Sequence, residues 1–322
     1  MTNPCWAYEF CDPRPLALPD RSTLFGPEPL GIGTGQVEGI HSYISRLVQA
    51  HGVHLLTLAR YIDSFRPGWP HAPGSVPPRR PSPSNSIVSC AHFWTQERVL
   101  ILERLTARPE LHALTLLRLS QVMEDQGCWS NSRAWCPQCY GQWQHHDQPI
   151  FQPLAWSLNV VPMCSQHRVW LSTECPACRQ PQSRYSTGWP LGCCTACGEW
   201  LGSHSKAEVR RVKRLCAEPA MRPPVLWQHW ASESVADLLR ATASDTPAPA
   251  LGRLAQNLRY CLDQVQAQPA QLAQWIGVPD VLVNHWLDAS LKPTLSVLLL
   301  VAYLIYRLRN AAKVSRRDDP AR

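Results

Sequence analysis

Four pairs of metal-ligating side chains, all within 62 residues, constrain this chain more than anything else in it: Cys136-x2-Cys139, Cys164-x2-His167, Cys175-x2-Cys178 and Cys194-x2-Cys197. Two intervening residues let one tight turn aim both side chains at a single ion. Two such turns complete the tetrahedron that structural Zn²⁺ prefers. Within the presumed sites the gaps between pairs are 24 and 15 residues, and the second falls in the range common to ribbon-like zinc sites. Sequential pairing gives one centre from Cys136, Cys139, Cys164 and His167, and an all-thiolate centre from Cys175, Cys178, Cys194 and Cys197. A crossed arrangement, with the first and third pairs sharing an ion, is the alternative. The expected cofactor is two structural Zn²⁺ per chain.

The remaining cysteines sharpen this reading. Nine of the 14 fall between Cys128 and Cys197. A lone cysteine behaves as a small buried hydrophobe, which accounts for Cys5, Cys11, Cys90, Cys128, Cys216 and Cys261. Cys193 could replace Cys194, but Cys194 restores the two-residue spacing and is preferred. The N-terminus has neither the basic nor the apolar region of a signal peptide. The longest apolar run, Leu295 to Tyr306, has 12 residues, where a membrane span needs about 20. A cytoplasmic location without membrane partners is therefore expected, where paired thiols point to metal rather than disulfide.

Catalysis by the metal is not expected. A catalytic zinc keeps an open position, and here the ligand count closes both sites. No His-Glu-x-x-His and no His-x-Glu occurs, so the general acid/base of a zinc deaminase is missing too. Glu174 and Glu199 read as solvated carboxylates.

Periodicity organises the rest into a mainly α chain carrying small irregular zinc-ribbon or zinc-knuckle modules. Residues 1–36 read as an extended arm and 37–127 as an N-terminal helical region. In that region Val37, Ile40, Ile44, Leu47 and Val48 share one helix face, and Leu55 to Phe65 form a second helix. Seven prolines between Arg66 and Ser86 mark a loop over 66–86. Helices follow at Trp94–Leu105 and Pro109–Leu119. Residues 128–202 form the double zinc-binding module, with little helical period. Residues 203–250 hold a basic helix, Lys206–Cys216, and linker helices including Val225–Ala243. Residues 251–312 form a C-terminal helical domain, and 313–322 a basic tail.

In the C-terminal domain Ala270–Gly277 reads as a short helix ended by glycine. A three-residue turn follows, then a helix from Val281 to Ala289 with Asp280 as its N-cap, and the apolar helix Leu295–Leu308. This order is that of a helix-turn-helix. It resembles a Cro/repressor-type domain through Leu272-Ala273, Gly277-Val278, Val283 and Trp286-Leu287. Between Gln268 and Leu300, however, the only charges are Asp280, Asp288 and Lys292, whereas DNA-binding surfaces supply several Lys and Arg to phosphates. The chain's net charge of +7 concentrates elsewhere. Candidate backbone contacts are Arg210, Arg211, Lys213, Arg214, Lys292, Arg307 and Arg309, with Asn284 and His285 placed to approach bases.

The stretch Arg133-Ala-Trp-Cys136-Pro-Gln-Cys139, then Trp156-Ser-Leu, then Val161-Pro-Met-Cys164-Ser-Gln-His167-Arg-Val-Trp-Leu171, then Cys175-Pro-Ala-Cys178 resembles the TniQ family of bacterial transposon target-selection proteins. Arg133 stands one residue early against the family pattern, with Ala134 in its usual place. Glu38-Gly-Ile-His-Ser42-Tyr-Ile-Ser-Arg46-Leu resembles the family's opening helix, and Leu111-His-Ala-Leu114-Thr115-Leu116 its segment before the first knuckle. Glu38, Ser42 and Arg46 would share one helix face, with Glu38 and Arg46 about 12 Å apart along the axis, so Ser42 would have to relay between them. Anchoring the helix within its own domain and touching a partner are the two roles this trio suggests. Trp156 is expected to pack a zinc module too small for a core of its own.

The resemblance implies a non-enzymatic transposition adaptor in the bacterial cytoplasm. Its partners would be an AAA+ ATPase and, through it, a DDE transposase. Targeting would be by an RNA-guided CRISPR effector complex or by direct reading of target DNA, and a homodimer is compatible with it. The reading from another class is an autonomous zinc-containing helix-turn-helix regulator that binds a specific DNA sequence.

Overall fold

The computed structural model describes residues 21–65, 93–130, 132–183, 189–202, 223–242 and 248–317. The proline-rich loop at 66–86 and the basic helix with Arg210, Arg211, Lys213 and Arg214 lie outside the described residues, as does the first part of the N-terminal arm. Among the described residues there are nine α-helices and only isolated β-bridges, so the chain is mainly α.

The two expected helices, α1 (Ile40–His51) and α2 (Leu55–Asp63), form a hairpin. Gly52 closes α1 in the left-handed region at φ 59°, where glycine carries no Cβ penalty. The His54 side chain caps α2 by accepting the Leu56 N–H. Ile40, Tyr43, Ile44 and Leu47 pack with Leu58, Ala59 and Ile62 against Val99, Leu102 and Leu105 of α3 (Phe93–Thr106). Arg98 adds a fork to Asp63, with Nε–Oδ1 at 2.8 Å and Nη2–Oδ2 at 2.9 Å.

Pro109–Leu119 is not one helix. It folds as two 3-10 turns, Leu111–Leu114 and Leu117–Leu119. The break is at Thr115, extended at φ −135°, whose hydroxyl donates to His112 O at 2.6 Å and accepts the Leu117 N–H at 3.2 Å. A side chain that satisfies the backbone locally competes with the helix.

The segment 128–202 departs from expectation in one respect, since it contains a helix, α4 (Pro137–His145), with Cys136 at its N-cap and Pro137 at N1. Its interior is aromatic: Tyr140, Trp143, Phe151, Trp156 and Trp200 lie with successive ring centroids 4.3–6.0 Å apart. Trp156 is 1% exposed, and it fills the module as expected. This module belongs to the same hydrophobic core as α1–α3.

The Glu38 trio explains how the module is fixed to α1. Glu38 precedes the helix in extended conformation, bridged to Pro153. Its side chain therefore runs back along the first turns, and Arg46 reaches it directly, Nη1–Oε2 2.6 Å. The 12 Å axial separation expected for a helical Glu38 does not apply. Ser42 Oγ donates to Glu38 Oε1 at 2.6 Å and accepts the Gln152 N–H at 2.9 Å, while Gly39 N–H donates to Gln152 O at 2.9 Å. Of the two roles the sequence allowed, the contacts seen are those of an internal anchor. Burial pushes the Glu38 carboxyl above its ordinary range, opposed by the Arg46 guanidinium and the Ser42 hydroxyl.

Beyond the module, α5 (Pro223–Thr242) buries Val235 and Leu239 in the main core, joined by Leu295 and Leu299 of α9 (Leu295–Arg317). The helix α9 runs nine residues past the expected end at Leu308. A second core forms among α6 (Leu251–Gln264), α7 (Pro269–Ile276), α8 (Asp280–Leu287) and α9, around Leu272, Val283, Trp286 and Ile305. Gly277, at φ 70°, ends α7. Asp280 is the first helical residue and not the cap, because Pro279 takes that position; the carboxylate instead accepts the Val281 N–H at 2.8 Å. The helical unit is tied back to the N-terminal region through Glu124 N–H to Pro293 O, 3.0 Å.

Candidate metal centres

Three of the four pairs fold identically. In each, the N–H of the residue after the second ligand donates to the carbonyl of the first: Arg168 to Cys164 (2.8 Å), Arg179 to Cys175 (2.9 Å) and Gly198 to Cys194 (3.0 Å). The first ligand's own N–H then donates to the carbonyl one residue further on, at 2.8 Å from Val169, 3.0 Å from Gln180 and 2.8 Å from Glu199. This closure needs a left-handed residue, and Arg168, Arg179 and Gly198 stand at φ 55°, 61° and 77°. The fourth pair, Cys136 and Cys139, opens α4 instead, with its two ligands on the first turn.

The pairs come together in sequence order. Cys136, Cys139, Cys164 and His167 form one group and Cys175, Cys178, Cys194 and Cys197 the other, with ligand atoms inside each group within 4.8 Å of one another. A tetrahedral ion with Zn–S of about 2.3 Å requires sulfurs about 3.8 Å apart. The structure has Cys139–Cys164 at 3.6 Å, Cys175–Cys197 at 3.8 Å and Cys178–Cys194 at 3.6 Å. His167 turns Nδ1 inward, 3.5 Å from Cys136 Sγ and 3.2 Å from Cys139 Sγ. None of these separations is near the roughly 2.05 Å of a disulfide. Each donor set fits a divalent metal ion without rearrangement.

The electrostatics of the first group point the same way. Hydrogen bonds from the Cys136 and Cys139 thiols pull Cys164 far below the ordinary thiol range, and those with Cys136 and Cys164 push Cys139 far above it. Without a cation, one thiolate is shared among three crowded sulfurs, whereas a divalent ion would hold all of them deprotonated. At Cys194 burial acts upward, but the Cys197 and Ala196 N–H groups and the Gln182 amide outweigh it and bring the thiol down to about 6. Cys128, outside both groups, is pushed up to about 12 by burial, consistent with an inert core thiol.

Residues that spacing could not single out support the groups. Gln182 is 2% exposed. Its Nε2 donates to Cys194 Sγ at 3.2 Å and its Oε1 accepts the Thr195 N–H at 2.8 Å. Trp135 Nε1 donates to Leu201 O at 3.0 Å. Cys193 is not a member of the group and lies in a bridge with Trp200. Next to it Gly192 sits at φ 91°, where an added Cβ would collide with the Trp200 ring. Gly192→Ala is expected to destabilise the second ribbon by about 1–3 kcal/mol, measured as a fall in the midpoint of thermal unfolding.

The nucleic-acid candidates are scattered by comparison. Asn284 and His285 are exposed on α8, and His285 Nδ1 lies 2.8 Å from Ser290 Oγ. Lys292 Nζ is engaged by the Ser120 carbonyl at 2.9 Å, so its ammonium ties the helical unit to the N-terminal region. Arg307 is exposed and lies over the Tyr303 ring, 5.9 Å from its centroid. The side chain of Arg309 and the 210–214 run lie outside the described residues.

The fold and its two groups define a helical protein organised around paired Cys/His knuckles that could each hold a metal ion. Residues 29–171 match the TniQ family model. The match runs from the turn before Glu38 through α1–α3 to the end of the first ligand group; the second group lies beyond it. No curated protein matches the chain. Among the described residues no helix is long and apolar enough to cross a membrane.

Proposed function

We propose that this chain is a non-enzymatic target-selection adaptor of DNA transposition whose two ligand groups each hold a structural zinc ion. The observation that carries the reading is the TniQ match over residues 29–171, which takes in both the Glu38 anchor and the first ligand group. Zinc would be held by Cys136, Cys139, Cys164 and His167, and by Cys175, Cys178, Cys194 and Cys197. It would supply rigidity rather than reactivity, since four protein ligands leave no position for substrate.

Rigid modules between helical units suit a bridge. One face of such a molecule would meet the target-recognising element, either target DNA or an RNA-guided effector complex. Another would recruit the AAA+ ATPase and, through it, the DDE transposase. The helix-turn-helix-like unit α7–α8 has few cations with which to hold phosphates, which favours the bridge over an autonomous DNA-binding regulator. The test is co-purification with the ATPase encoded beside it, together with insertion mapping after deletion of the gene. The adaptor reading expects a complex and redistributed insertions; specific DNA binding by the isolated chain, with insertions unchanged, would establish the regulator instead.

A further inference from the structure

Arg133 is fully buried, and it is the largest buried charged side chain among the described residues. Its guanidinium donates through Nη2 to the carbonyl of Cys193 at 2.9 Å. Among the described residues Nε and Nη1 have no hydrogen-bond partner and no carboxylate pairs with the side chain. A buried cation without a counter-charge is strongly destabilising, so its place in the core calls for an anion.

The position of Arg133 indicates where that charge comes from. It stands three residues before Cys136 of the first group, and its guanidinium is bonded to the residue preceding Cys194 of the second. Its backbone N–H donates to Gln182 O at 3.0 Å, and the Gln182 amide reaches Cys194 Sγ. A divalent ion bound by three thiolates and an imidazole leaves a net negative centre, and one bound by four thiolates leaves a more negative one.

We propose that Arg133 is the counter-cation shared by the two metal–thiolate centres, and that loss of its charge loosens the metal at both. This rests on the reading that both groups hold zinc. Arg133 touches no ion; it acts through the field between the centres and through the Cys193 carbonyl.

The experiment compares the full-length chain with Arg133→Met and Arg133→Lys, all purified with zinc and checked for fold by circular dichroism. Zinc content is followed against rising chelator, and Co²⁺ exchange separates the all-thiolate centre from the mixed one by its absorption bands. Arg133→Met fills the volume without the charge, and it is expected to release metal from both centres at about 10–100-fold lower chelator. Arg133→Lys is expected to stay within about threefold of the natural chain, since it keeps the charge and loses the fork. Metal retained by Arg133→Met as tightly as by the natural chain would overturn the proposal, as would loosening of one centre alone or equal loosening by both variants. Should Arg133→Met not fold, Arg133→Lys decides alone, and a loss of retention beyond about tenfold counts against it. A natural chain without zinc would instead refute the metal reading on which the proposal stands.

Discussion

Elemental analysis of the purified chain is expected to return about two zinc ions per molecule, one for each ligand group, and the two sites are expected to differ sharply in what they support. Cys139→Ser should lower the content toward one ion and unfold the N-terminal half. Cys178→Ser should remove one ion as well, but leave helices α1–α4 in place. The difference follows from burial. Cys136, Cys139 and Cys164 are each 0% exposed and lie in the main core with Tyr43, Leu154 and Trp156. In the second group Cys175 and Cys194 are buried as well, but Cys178 is half-buried and Cys197 exposed, which puts that group at the rim of the core. Structural zinc binding is worth about 10–16 kcal/mol in small metallo-domains, against a typical domain stability of about 5–15 kcal/mol. Loss of an ion from inside the core should therefore not be survivable, whereas loss from a rim ribbon should unravel only that ribbon. Zinc content read beside far-UV circular dichroism and limited proteolysis checks this. A zinc-free chain with native helicity would sink it, and equal unfolding by the two variants would show that burial does not set the hierarchy.

The ligand groups were legible because spacing is a geometric statement: a two-residue gap fixes the turn whatever surrounds it. Resemblance added α1 and the first knuckle, and the structure groups the pairs in their sequence order. What the sequence did not convey depends on contacts between distant segments. Glu38 counts as helical by periodicity, yet its pairing with Pro153 holds it extended and puts its carboxylate within direct reach of Arg46. The 3-10 turns at 111–119 hinge on one Thr115 hydroxyl, too local a competition for an apolar pattern to register. Gln182 carries no signal at all, since a lone glutamine becomes informative only when the Cys194 ribbon folds over it. Lys292 looked available to phosphate because nothing in its neighbourhood of sequence announces Ser120 as its acceptor. Arg133 is the opposite case: visible as a motif residue, but with a role set by Cys193, which is 60 positions away.

Arg46→Ala is expected to be the most damaging single change outside the ligand groups. The Glu38 side chain is 0% exposed and that of Arg46 16%. Removing one partner of a buried pair costs about 3–5 kcal/mol, because the other charge is left buried and uncompensated. Here the orphan is the Glu38 carboxylate, and losing Arg46 also removes two hydrogen bonds to the Glu28 carbonyl, both 3.1 Å. Burial already raises the Glu38 carboxyl, and Arg46 is the main influence holding it down. The variant's native state should therefore take up a proton at Glu38. An acid whose folded value lies above its unfolded one binds more protons when folded, so stability falls as pH rises from the unfolded value toward the folded one. The deficit of Arg46→Ala should accordingly grow with pH and be smallest on the acid side. Glu38→Gln keeps the volume and can still accept from Ser42, so its cost should be smaller, about 1–3 kcal/mol, and should shrink as pH rises, because the natural chain's raised Glu38 loses stability over that window and a glutamine does not. Urea unfolding of the three chains at several pH values, read from the midpoints, separates these outcomes. A deficit for Arg46→Ala that shrinks with rising pH would show that the carboxylate finds another counter-charge, and that the anchor between α1 and the 128–202 module does not depend on this pair.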